Sequence, residues 1–125
     1  MNKNLTITSV LGILTILFGA FGAHALSKTL TIEGMNSFET AIRYQMYHTI
    51  VLLFVNTYKN FTVPQKNRIS SLFFMGILFF SGSIYLIQFT SISAKSIWFI
   101  TPLGGLFFIL GWLYMTIRFA KRNEQ

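Results

Sequence analysis

The stretch "LTITSVLGILTILFGAFGAHAL", residues 5–26, is an almost continuous apolar run that ends in glycines and alanines around one histidine. It contains no Lys, Arg, Asp or Glu. At 1.5 Å per residue, an α-helix of this length extends about 33 Å, which is enough to cross a hydrocarbon core of about 30 Å. The run therefore predicts a transmembrane helix.

The rest of the sequence repeats this pattern three times, with apolar runs at about 36–58, 69–89 and 97–119. Hydrophobic residues make up 53% of the chain and charged residues only 10%, and the mean hydropathy is +0.58. Too few polar side chains remain to cover a water-facing surface. The sequence predicts an all-α integral membrane protein, a bundle of four transmembrane helices in one domain, residues 1–125. The short connections leave no room for a domain outside the membrane.

The first apolar run has an alternative interpretation as a signal peptide, because Lys3 precedes it and Ala23-His24-Ala25 imitates a cleavage site. Its apolar part is longer than the roughly 7–15 residues of a usual signal-peptide core. Glycines at its end also suit helix packing. We therefore interpret the run as a retained transmembrane helix.

The ten basic and three acidic residues give a net charge of +7. The basic residues lie mostly at helix ends and in connections rather than along one stripe, so no nucleic-acid partner is predicted. One side of the predicted bundle carries Lys3, Lys59, Lys66, Arg68, Arg118, Lys121 and Arg122, and the other side carries Lys28, Arg43 and Lys95. The positive-inside rule then predicts that both termini are cytoplasmic, in a bacterial cytoplasmic (inner) membrane.

The second helix is predicted to begin at Asn36, because Glu39 three residues later completes a capping-box pattern. Thr40, Tyr44 and His48 recur every four residues and are predicted to share the inward face. His48 lies about 18 Å from Asn36, near the middle of the membrane, where an ionisable side chain normally faces a partner or a cavity. It is the strongest candidate for a functional residue.

Small and polar residues concentrate in the outer half of the predicted bundle, within "GAFGAHAL" (19–26), "TAIRYQMYH" (40–48), "SGSIY" (81–85) and "TPLGG" (101–105). A ligand pocket there would be lined by His24, Arg43, Tyr44, His48, Ser81, Ser83, Tyr85 and Thr101. A structural alternative exists for these side chains. Serines bond across helices, Arg43 pairs with Glu39, and His48 is a neutral ring satisfied by Tyr85, Ser81 or Ser83.

Small residues and one proline in these helices are predicted to serve helix packing, since small side chains let helix backbones approach closely. The predicted packing residues are Gly19, Gly22, Ala23, Gly82, Pro102, Gly104, Gly105 and Gly111. Gly19 and Ala23 have the four-residue spacing of such contacts. Pro102 is compatible both with a kinked or broken fourth helix and with a late helix start.

Four motifs, GAFGAHAL, TA-x-x-YQMYH, FSGSIY and TPLGG followed by GW, resemble in order and spacing a small bacterial inner-membrane family. It is known as domain of unknown function 423 and has small eukaryotic transmembrane relatives. The resemblance covers essentially the whole chain. It implies a four-helix membrane protein whose motif residues include Gly22, His24, His48 and Pro102. It implies no reaction, substrate or cofactor.

Two functions remain open from the residues. A structural or accessory role, with the lipid bilayer, a second copy or another membrane protein as partner, needs the fewest assumptions. The alternative is binding or transport of a small polar solute, a proton or a lipid headgroup through the outer-half pocket around His48. An enzyme is not favoured, since the chain has no Cys or Asp. Glu39 and His48 lie about 13 Å apart along one helix, too far to share an ion, so no metal, cofactor or catalytic residue is predicted.

Overall fold

The computed structural model describes residues 2–122, and all regular structure in this range is helical. Four helices follow one another through short connections. They are α1 (Lys3–His24), α2 (Ile32–Thr57), α3 (Val63–Phe89) and α4 (Ile100–Arg122). The prediction of an all-helical chain with four helices is confirmed.

The predicted helix starts differ most from the structure in α2 and α3. The capping box predicted at Asn36 is wrong, because Thr31 caps α2 instead and its hydroxyl accepts a hydrogen bond from the backbone N–H of Gly34 at 3.0 Å. In α3 the cap is Thr62, which forms a capping box with Gln65. The residues that follow Thr62 do not continue an apolar run. The start of α3 predicted from hydropathy, residue 69, therefore lies six residues after the observed start at Val63. The bounds of α1 and α4 shift by two or three residues.

The helices pack in sequence, with α1 against α2, α2 against α3, and α3 against α4. α1 and α3 run in the same direction: Asn4 bonds to Asn67 near the start of both helices, and Phe18 contacts Tyr85 further along both. α2 and α4 run the opposite way. The apolar core lies between α2, α3 and α4 and includes Leu52, Val55, Ile69, Phe73, Ile77, Phe108 and Met115.

Three of the predicted packing glycines lie where another helix or side chain leaves no room for a Cβ atom. A Cβ on Gly22 would lie 2.2 Å from the Phe38 ring, and one on Gly111 would lie 2.5 Å from the Phe73 ring. At Gly104 the nearest atom would be the backbone nitrogen of Phe80, at 2.2 Å. The backbones of α3 and α4 therefore touch at this glycine.

Other predicted packing residues do not lie at close helix contacts. Nothing lies within 4 Å of a Cβ built on Gly105, and Ala23 is exposed, at a groove between α1 and α2. A Cβ on Gly19 or Gly82 would meet only ordinary contacts at 3.9–4.0 Å. Small size alone does not identify a contact, because the direction of the Cα–Cβ bond decides what the residue faces.

The irregular helix of the bundle is α3 rather than α4. A π-helical turn at Ile77–Ser81 separates its α-helical parts, Val63–Gly76 and Gly82–Phe89. Pro102 lies in the first turn of α4, which corresponds to the late helix start. The π turn includes Phe80, whose backbone meets Gly104. The widened turn thus lies at the α3–α4 contact.

By length and composition, α1, α3 and α4 are each able to cross a membrane. α2 is as long as these helices but more polar. Four of its polar residues, Gln45, His48, Thr49 and Asn56, are buried among the other helices, whereas Glu39 and Arg43 are exposed.

Candidate functional site

The buried stripe of α2 places polar side chains in the centre of the bundle. Its members include Ala41, Gln45, His48, Leu52 and Val55, which recur at intervals of three or four residues. Gln45 is 2% exposed and His48 is 6% exposed. Of the predicted inward face, His48 is buried, whereas Tyr44 is 39% exposed and stacks with one side on Phe80 of α3. Thr40 is partly exposed and bonds to the backbone oxygen of Asn36 in its own helix.

His48 joins α2 to α4. Its Nδ1 lies 2.7 Å from the backbone oxygen of Tyr44, and its Nε2 lies 3.1 Å from the indole Nε1 of Trp112. Because a carbonyl oxygen only accepts, the proton is assigned to Nδ1, and Nε2 then accepts from the indole N–H. The ring stacks on Phe108 with a centroid distance of 3.8 Å. Both ring nitrogens thus have partners inside the protein.

Gln45 joins three helices. Its Oε1 accepts a hydrogen bond from the Tyr85 hydroxyl at 2.7 Å, and its Nε2 donates to the backbone oxygen of Leu11 at 3.1 Å. The Tyr85 ring also meets Phe18 edge-on, with centroids 4.9 Å apart. These contacts fix α1, α2 and α3 relative to one another.

The predicted site serines bond between helices as well. The Ser81 hydroxyl donates to the backbone oxygen of Ala41 at 2.7 Å, across the α2–α3 contact. The Ser83 hydroxyl donates to the backbone oxygen of Phe80 at 3.0 Å and lies 2.5 Å from the Thr101 hydroxyl on α4. Such bonds are worth about 0.6 kcal/mol each in membrane bundles, up to about 1.7.

The remaining predicted ligand-binding residues lie at the surface. His24 is exposed in the last turn of α1. Arg43 is also exposed, donates to the Thr40 hydroxyl at 3.1 Å, and has its Nη1 4.0 Å from a Glu39 carboxylate oxygen. The eight predicted residues are therefore divided between interhelical bonds and the surface, and Tyr85 bonds to Gln45 rather than to His48. Within the described chain, no three His, Cys, Asp or Glu side chains are grouped to hold a metal ion.

Sequence reasoning missed an asparagine cluster near the start of α1 and α3. Asn4 donates through its side-chain amide to the Oδ1 of Asn56 at 3.0 Å and to the Oδ1 of Asn67 at 2.9 Å. Asn56 in turn donates to the hydroxyl of Ser70 at 2.8 Å. No single helix shows a pattern that predicts this cluster, because each helix contributes only one or two of its members. Gln45 and Trp112 were missed as well, although Gln45 lies inside a quoted motif.

Comparisons with known proteins identify relatives that are membrane proteins. The family model "Protein of unknown function (DUF423)" matches residues 18–105. A UPF0382 membrane protein of Staphylococcus haemolyticus is 42% identical over 82% of this chain and 83% of its own length. The UPF0382 membrane protein of Haemophilus influenzae is 37% identical, over 90% of this chain and 89% of its own. The UPF0382 inner membrane protein YgdD of Escherichia coli is 34% identical, over 90% and 86%.

No solved structure matches the chain. The relatives and the apolar helices together confirm the predicted localisation: the protein is a multi-pass protein of a bacterial cytoplasmic membrane.

Proposed function

The chain belongs to the DUF423 family of membrane proteins, and on that premise we propose that it is a structural or accessory component of the membrane that interacts with lipids or membrane-protein partners. One observation carries the proposal. The buried polar side chains that could line a ligand pocket are bonded to one another or to backbone groups across the helix contacts. This arrangement holds four helices in one geometry, as a rigid scaffold requires.

The proposal includes four membrane spans, with α2 as the fourth. At 1.5 Å per residue, its 26 residues extend about 39 Å, longer than the hydrocarbon core. Its buried polar groups are bonded inside the bundle. Its exposed face carries apolar and aromatic side chains at Tyr47, Ile50, Leu53 and Phe54. A helix of this kind is stable in lipid only beside its neighbours, so its lower mean hydropathy is compatible with a span.

The proposal includes no catalytic step. His48 is the buried histidine, and both of its ring nitrogens are already bonded, so a reaction through this ring would first have to break the contact between α2 and α4. The exposed apolar faces of the bundle are suited to lipid, to a second copy or to another membrane protein.

A double-mutant cycle on Tyr85 and Gln45 tests the structural role. We expect Tyr85→Phe, Gln45→Leu and the double variant to lower the free energy of unfolding in mixed micelles. The coupling between the two side chains should be about 0.6–1.7 kcal/mol, in the range of interhelical bonds in membranes.

Native mass spectra of the protein extracted with its lipids give the second readout. A small polar molecule that is bound to the unaltered protein, and is lost from a folded His48→Ala variant, would overturn the proposal in favour of a binding function. A spectrum without such a mass, together with lowered stability of the variants, supports the structural role.

A further inference from the structure

A polar recess of about 670 Å³ lies at the end of the bundle where α1 and α3 begin. The asparagine cluster lines it through Asn4, Asn56 and Asn67, and two lysines, Lys3 and Lys66, line it as well. The recess thus combines bonded amides with two ammonium groups from different helices.

An apolar groove of about 360 Å³ begins one helical turn further along the same two helices. On α1 it is lined by residues from Ile7 to Phe18, and on α3 by residues from Phe74 to Tyr85. Each segment spans twelve residues and extends about 17 Å, close to the half of an about 30 Å core that one leaflet occupies. The groove therefore has the length of one acyl chain in one leaflet.

The charge around the recess is uncompensated by acidic groups in the described chain. The first turns of α1 and α3 contain no acidic side chain. The two glutamates in residues 2–122, Glu33 and Glu39, lie on α2 in its first two turns, at the opposite end of the bundle. Among residues 2–122, therefore, no acidic side chain neutralises Lys3 and Lys66, and the recess favours a ligand that carries negative charge.

We propose that the α1–α3 groove binds one anionic phospholipid, whose phosphate lies between Lys3 and Lys66 and one of whose acyl chains lies along the apolar groove. The polar recess lies at the helix ends, where a lipid headgroup lies, and the apolar groove lies deeper, where the acyl chains lie. The inference deepens the proposed function, since it specifies one lipid-interacting surface of the accessory protein.

Charge also favours a lipid over a second copy of the chain. A second copy carries the same net charge of +7 and the same basic residues at this end, so it would repel the recess rather than neutralise it. An anionic headgroup supplies the missing charge, and attraction to anionic lipid grows by about fivefold in affinity for each basic residue near the surface.

The test is native mass spectrometry of the full-length protein in micelles. Dioleoylphosphatidylglycerol and dioleoylphosphatidylcholine are supplied in equal amounts, because these probes share their acyl chains and differ in headgroup charge. We expect one phosphatidylglycerol to be retained preferentially. The Lys3→Gln, Lys66→Gln double variant should lower this preference about 25-fold, at about fivefold for each lysine.

The matched charge control is Lys59→Gln with Lys121→Gln, which removes the same charge at the same end but outside this recess. Because it leaves the recess intact, we expect it to lower the preference by less than the Lys3→Gln, Lys66→Gln variant does. Equal losses in the two double variants, or an unchanged preference in the first, would overturn the site.

Gly82→Leu tests the groove independently. A Cβ at this position meets only ordinary contacts at 3.9 and 4.0 Å, and the glycine lines the groove, so a leucine side chain would fill it without displacing backbone. We expect retention of both lipids to fall, whereas Gly105→Leu, which enters open space on α4, should leave retention unchanged. Full retention in Gly82→Leu, or a dimer that this variant dissociates, would overturn the lipid assignment.

Failure of the lipid site is distinguishable from failure of the proposed function. Lys3 and Lys66 line the recess, away from the Tyr85–Gln45 hydrogen bond, whereas Gly82 lines the same groove as that pair. The coupling energy is therefore measured in lipid-free micelles with Gly82 intact, where it does not depend on lipid retention. A measured coupling without a preferred lipid would reject the site alone.

Discussion

His48 lies at the contact between α2 and α4 with its Nδ1–H donated to a backbone carbonyl and its Nε2 accepting from Trp112. Only the neutral ring fits both partners, because a second N–H at Nε2 would point at the indole donor. The arrangement explains how an ionisable residue is accommodated at membrane depth without a ligand. It also predicts that Trp112 is as important for this contact as His48.

Replacement of Trp112 by Phe should destabilise the bundle. The variant keeps an aromatic ring beside Phe73 but removes the donor to Nε2, which leaves a buried acceptor without its partner. We expect the free energy of unfolding to fall by about 1 kcal/mol. Unfolding in mixed micelles, followed by circular dichroism, measures the change. Trp98→Phe is the control, since Trp98 is 71% exposed before α4, and an equal loss there would contradict the specific role of the bond.

Two adjacent glycines should respond oppositely to the same substitution. Gly104→Ala would place a Cβ 2.2 Å from the backbone nitrogen of Phe80, which must move for the helices to stay packed. We expect a loss of about 3 kcal/mol, at the upper end of overpacking costs. Gly105→Ala meets nothing within 4 Å and should be neutral or stabilise the helix by up to about 1 kcal/mol. The same unfolding assay compares them, and similar values for both variants would exclude the close α3–α4 approach.

The sequence was sufficient to predict which types of residue lie in the centre of the bundle, but not which side chains they bond to. The sequence indicated that His48 turns inward, since a midplane histidine rarely faces lipid. It did not show whether Gln45 or Tyr44 shares the buried face of α2 with His48, because these two residues are adjacent in the sequence. Trp112 is 64 residues further along the chain, and only the packing of α4 brings the two side chains together.

The sequence predicts the middle of each helix through its apolar residues, whereas the first residue of a helix depends on which side chain caps it. The four helices were predictable because each contains a long apolar stretch. The first turns of α2 and α3 mix apolar residues with Glu33, Gly34, Gln65 and Lys66 and so interrupt the apolar runs; their starts are marked by hydroxyl caps at Thr31 and Thr62. The π turn in α3 was not predictable, since its residues, Ile77–Ser81, continue the apolar pattern of an ordinary helix.

The two candidate caps of α2 can be compared directly. Thr31→Ala removes the acceptor for the Gly34 N–H and should lower the free energy of unfolding by about 1 kcal/mol. Asn36→Ala lies inside the helix on its exposed side, where alanine has the higher helix propensity, so stability should stay the same or rise by about 0.5 kcal/mol. Chemical unfolding in micelles measures both. A larger loss in Asn36→Ala than in Thr31→Ala would place the helix start at Asn36.

Across the whole molecule, charge is distributed unequally between the two ends of the bundle. Seven of the ten basic residues lie toward the end that carries the start of α1 and the end of α4. Lys28 and Lys95 lie at the other end, and Arg43 lies within α2, in the half nearer that end. The short connections put nearly all of these charges close to the membrane surface, where they determine orientation most strongly. The same asymmetry accounts for the basic recess between α1 and α3.

This distribution predicts that the connection between α2 and α3 is cytoplasmic and that between α3 and α4 is external. The chain has no cysteine, so single substitutions give an unambiguous label. In intact spheroplasts, a membrane-impermeant maleimide should label Ser93→Cys, which is exposed between α3 and α4. Asn60→Cys, between α2 and α3, should be labelled only after the membrane is permeabilised. The reverse pattern would invert the topology. Equal labelling of both in intact spheroplasts would contradict a single orientation and, with it, the view that the basic end anchors the bundle to the inner leaflet.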